Sequence, residues 1–86
     1  MSAQFPPDAD PRTLRDYLRR VEAALEAVER RLRRFEDEFG MDSEVFYARL
    51  HNAGLDERVE YAEWAGEHAM RLRLVRQRDE LRGRLK

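Results

Sequence analysis

The sequence predicts an all-α protein: two long antiparallel helices joined by a short helix, a helical hairpin or bundle expected to be dimeric. Three observations carry that reading. Apolar residues recur at heptad spacing through the first half of the chain. Capping and breaking residues bracket three segments. Charge is segregated along the chain so that an antiparallel pairing brings opposite signs together.

The first helix opens at Asp10-Pro11, an acceptor for the free N–H groups of a first turn followed by the residue favoured at the first helical position. Leu14, Leu18, Val21, Leu25, Val28, Leu32, Phe35 and Phe39 then follow at alternating steps of four and three, an unbroken seam. Gly40 is suited to a left-handed cap. A helix over 11–39 would be about 43 Å long. Leu18, Leu25, Leu32 and Phe39 fall at a, and Leu14, Val21, Val28 and Phe35 at d. This is not the arrangement a parallel two-stranded zipper prefers, so a hairpin or larger bundle is favoured. The seam can close within one chain or between two.

Met41-Asp42-Ser43-Glu44 supplies a cap and first-turn acid for a short helix over 43–53, with Val45, Phe46, Leu50 and Ala53 at helical spacing. The third helix is expected over 56–84, with Asp56 as its cap. Its apolar face reads Val59, Ala62, Ala65, Gly66, Ala69, Leu72 and Val75, and a second stripe reads Met70, Leu74, Leu81 and Leu85. Gly66 costs about 1 kcal/mol against alanine in a helix; with its small neighbours it marks a place where another helix comes close. Residues 1–9, with Pro6 and Pro7, read as a mobile arm, and 10–86 as a single helical domain.

A chain of 86 residues makes one small domain, and such domains often gain stability by association. There is no cysteine, hence no disulfide framework, which suits the reducing cytoplasm expected as its location. No apolar run approaches the ~20 residues of a membrane span. The 17 basic and 18 acidic residues nearly cancel. Residues 36–67, however, carry ten acids against Arg49 and Arg58, while residues 68–86 carry seven bases against Asp79 and Glu80. Antiparallel packing would set Arg30, Arg31, Arg33 and Arg34 beside Glu57, Glu60, Glu63 and Glu67. It would set Arg71 to Arg84 near Asp10, Asp16 and Glu22. Exposed ion pairs of this kind select an orientation more than they add stability.

Catalytic machinery is not evident. His51 and His68 are the only histidines, and no third nitrogen ligand accompanies them. Glu57, Glu60, Glu63 and Glu67 rise along one helix in the manner of magnesium-binding carboxylates of nucleotide hydrolases. A second acidic pair at matching spacing is missing, so a solvated face or a match for the arginines is preferred. The four glycines are isolated, so no phosphate loop exists, and Ser2 and Ser43 sit in no nucleophile motif. No catalytic residue, metal or cofactor is expected. The Arg-rich end could touch phosphates, but it lacks stacking aromatics and the total charge is near zero, so nucleic acid is not favoured.

The aromatics Phe35, Phe39, Phe46, Tyr47, Tyr61 and Trp64 cluster where three helices would meet. Phe46 and Tyr47 point about 100° apart on a helix, so one should be less buried, and Tyr and Trp are frequent binding anchors. Phe46, Tyr47, Leu50, Leu55 and Trp64 are therefore the candidate partner-binding residues.

One further pattern spans residues 35–70: Phe35-Glu36, then Phe39-Gly40-Met41, Ser43-Glu44, Phe46-Tyr47, a turn at Gly54-Leu55-Asp56, and Glu63-Trp64-Ala65 with Glu67 and Met70. It resembles small bacterial and cyanobacterial proteins regarded as antitoxin components of toxin–antitoxin operons. The turn before Glu63-Trp64 is shorter than theirs, and the Arg-rich end extends the third helix. The resemblance implies a non-catalytic protein that neutralises a cognate toxin, often an RNase-type protein, by direct binding. The alternative from the residues alone is a homo-oligomeric coiled-coil scaffold.

Overall fold

A computed structural model describes residues 9–53 and 58–86, the side chains of 51–53 excepted. Three helices follow one another: α1 (Pro11–Phe39), α2 (Ser43–Ala53) and α3 (Val59–Arg84). The chain measures 46 × 25 × 20 Å, so its length is that of α1.

The first helix starts as its sequence dictates. Asp10 sits in an extended conformation and its carboxylate accepts the Thr13 N–H at 2.9 Å. That bond holds the Asp10 carboxyl below its usual range. At the other end Gly40 adopts φ 64°, ψ 38°, and its N–H donates to the Glu36 carbonyl at 2.8 Å. This left-handed residue turns the chain out of α1 and into α2 within three residues.

Helices α1 and α3 pack along their length, and the cross-helix ion pairs give the direction. Glu22 meets Arg82 at 3.0 Å, Glu29 meets Arg71 at 3.5 Å, and Arg31 meets Glu67 at 2.8 Å. Partner numbers fall on α3 as they rise on α1, so the pairing is antiparallel. The expected set is only partly realised: Asp10 is taken by its cap and Asp16 pairs locally with Arg19.

The seam closes within the chain. Leu14, Val21, Leu25, Val28 and Leu32 are buried against α3, with Leu18, Phe35 and Phe39 partly buried beside them. The face of α3 keeps Leu74 and Leu81 of the second stripe but departs from the sequence reading elsewhere. Trp64, His68, Leu74 and Leu81 are its buried residues, while Val59 is 71% exposed and Ala62, Gly66, Met70 and Leu72 are also exposed. The indole is the largest apolar surface on α3, and seating it inward rotates the small residues out. Arg58 occupies the N-cap position, where its side chain makes no capping hydrogen bond; the expected cap, Asp56, lies outside the described residues. So do residues 1–8 of the expected arm, whereas Ala9 packs against the core.

Candidate functional site

The corner where the three helices meet is built around one indole. Trp64 is completely buried. Phe46 lies flat on it, with ring centroids 3.9 Å apart and planes 1° from parallel. Phe39 and Phe35 stack at 5.4 and 5.7 Å, and Tyr61 leans on Phe46 at 5.3 Å. The indole from α3 is thus packed against one ring from α2 and two from α1.

A buried polar chain completes the corner. The Trp64 indole N–H donates to Ser43 Oγ at 2.8 Å, and that hydroxyl donates to Glu36 Oε2 at 2.7 Å. The same carboxylate oxygen accepts the Ser43 backbone N–H at 2.9 Å. Glu36 therefore caps the start of α2 from the end of α1, and Ser43 transmits that tie to α3. Ser43 is the first residue of α2, so its N–H has no intrahelical acceptor and needs such a partner.

Beneath α2 lies a cleft of about 270 Å³ lined by Leu32, Glu36, Asp42, Ser43, Glu44, His68 and Arg71. His68 is 4% exposed, and the Tyr47 ring covers it at 4.7 Å. Burial depresses the His68 pKa and the Arg71 charge adds to this, while Glu44 and Glu36 oppose it. Its Nδ1 has no hydrogen-bond partner among the described residues. The imidazole is therefore a neutral part of the packing at pH 7.

The five candidate contact residues separate on this geometry. Phe46 and Trp64 are buried in the core, 1% and 0% exposed, rather than presented at the surface. Tyr47 and Leu50 are half-buried and border the outside of α2. Leu55 lies outside the described residues. Val45, 43% exposed, joins the outer surface instead. Its position explains this: on a helix it points about 100° from Phe46, away from the row formed by Ser43, Phe46 and Leu50.

A second, larger groove of about 640 Å³ opens between α1 and α3, lined by Phe35, Gly66 and Met70 with Arg31, Arg34, Glu38, Glu63 and Glu67 around them. Among the described residues, no group of three His, Cys, Asp or Glu side chains converges to hold a metal ion. No helix among them is long and apolar enough to cross a membrane. Comparison with protein-family models, with curated proteins and with solved structures finds no match to this chain.

Proposed function

We propose that this chain is a non-catalytic protein-binding module, the antitoxin-like member of a toxin–antitoxin pair, acting by direct contact with a cognate toxin in the cytoplasm. What supports the reading is the joint role of the residues that carry the resemblance. Gly40, Ser43, Phe46 and Trp64 belong to the corner that fixes α2 against the hairpin. Held this way, α2 turns Val45 outward, with Tyr47 and Leu50 at its margins. A rigid helix with a partly apolar outer face loses little conformational freedom on binding, which favours affinity.

The test is co-expression with the product of the adjacent gene. The expected result is a complex that co-purifies, restored growth when that product is toxic, and capture weakened at least about tenfold by Val45→Asp. Val45 is exposed, so helical circular dichroism should be unchanged in this variant. Absence of both complex and growth rescue overturns the reading.

A further inference from the structure

Gly66 meets no described part of its own chain. It sits mid-way along α3, where glycine is unfavourable relative to alanine. Yet no described atom lies within 4 Å of where its Cβ would be. The residue lines the open groove between α1 and α3, beside Phe35 and the 37% exposed Met70. Close approach of backbone is what glycine in a helix permits, and no described part of the hairpin makes that approach.

The charges on the same outward side of α3 have a symmetry of their own. Glu63 and Gly66 stand five and two positions before residue 68; Met70 and Arg73 stand two and five positions after it. All four are exposed. His68, at the centre, is buried on the opposite side of the helix. A two-fold axis beside the outer side of α3 at this point therefore sets Glu63 level with the partner's Arg73 and Met70 level with the partner's Gly66. Two-fold pairing makes every such contact twice.

We propose that a second copy of this chain docks on this groove, with the two α3 helices crossing antiparallel about position 68. Met70 of each protomer seats on Gly66 of the other. Glu63 of each faces Arg73 of the other. Among the described residues of its own chain Arg73 reaches the Met70 sulfur, at 3.5 Å. The heptad seam of α1 takes no part, since α3 already fills it. This pairing stands independently of the toxin-binding reading: it uses the outer side of α3, not the face of α2.

Sedimentation equilibrium of the full chain from about 5 to about 200 μM tests it. The wild type should be a dimer. Glu63→Arg and Arg73→Glu should each raise the dimer Kd about tenfold or more, and the double swap should return it to within about threefold of wild type. Gly66→Leu, placed in open space, should give a helical monomer. A wild type that is monomeric throughout overturns the proposal and leaves the groove to another protein. So does a dimer whose Kd ignores both Glu63→Arg and Gly66→Leu. Should a single variant lose its helical circular dichroism, the double swap, with unchanged net charge, decides.

Discussion

Ser43 is the smallest side chain in the corner and the one with most depending on it. Replacing it by alanine leaves the Trp64 indole N–H buried without an acceptor and removes one of two bonds to Glu36. An unpaired buried donor costs about 1–3 kcal/mol, so Ser43→Ala should lower the unfolding free energy by that amount, read as a lower urea midpoint with little change in slope. Glu36→Gln keeps an acceptor oxygen and should cost less than Ser43→Ala. His68 gives a second expectation at this scale. Its pKa is lowered in the folded chain, so between the unfolded value near 6.5 and the lower folded value the unfolded chain binds more protons. Stability should therefore fall as pH drops through 6.5 and level off once the folded imidazole is charged. His68→Gln should flatten that slope in urea titrations between about pH 7.5 and 5. A slope unchanged by the substitution would assign the effect elsewhere.

At the scale of the elements, the ends of α1 and the seam between them were legible in the sequence. Asp10-Pro11, the alternating steps of four and three, and Gly40 are local signals, and local signals set where a helix begins and ends. Gly40→Ala should cost about 1 kcal/mol, because alanine resists the left-handed conformation found there; the urea midpoint again reports it. The inward face of α3 was legible only in its second stripe, where Leu74 and Leu81 are buried and Leu85 packs on the core; its first half was not. Its small residues at helical spacing read as the packing stripe, but the burial of a single indole outweighs several alanines. Trp64 and His68, four positions apart, were the available signal, and the polarity of histidine obscured it. For the same reason Phe46 and Trp64 read equally well as anchors or as core. Adjacent sequence does not reveal that α2 folds back flat upon α3.

The whole molecule is held by its seam more than by its charges. The three cross-helix ion pairs lie at the surface, where salt and water screen them. Raising sodium chloride from about 50 mM to about 500 mM should therefore move the urea midpoint far less than Leu32→Ala, a buried truncation expected to cost about 2–5 kcal/mol. Charge instead chooses the orientation, since a parallel hairpin would set like signs together. One consequence of the corner concerns observation. Trp64 is the only tryptophan in the chain, and its stacked ring and indole bond both depend on α2 being seated. Its fluorescence is thus a label-free gauge of the corner, while far-ultraviolet ellipticity is dominated by the two long helices. If α2 lifts away before the hairpin melts, emission should shift to the red at a lower urea concentration than the loss of helix. Coincident curves would make the corner and the hairpin one cooperative unit.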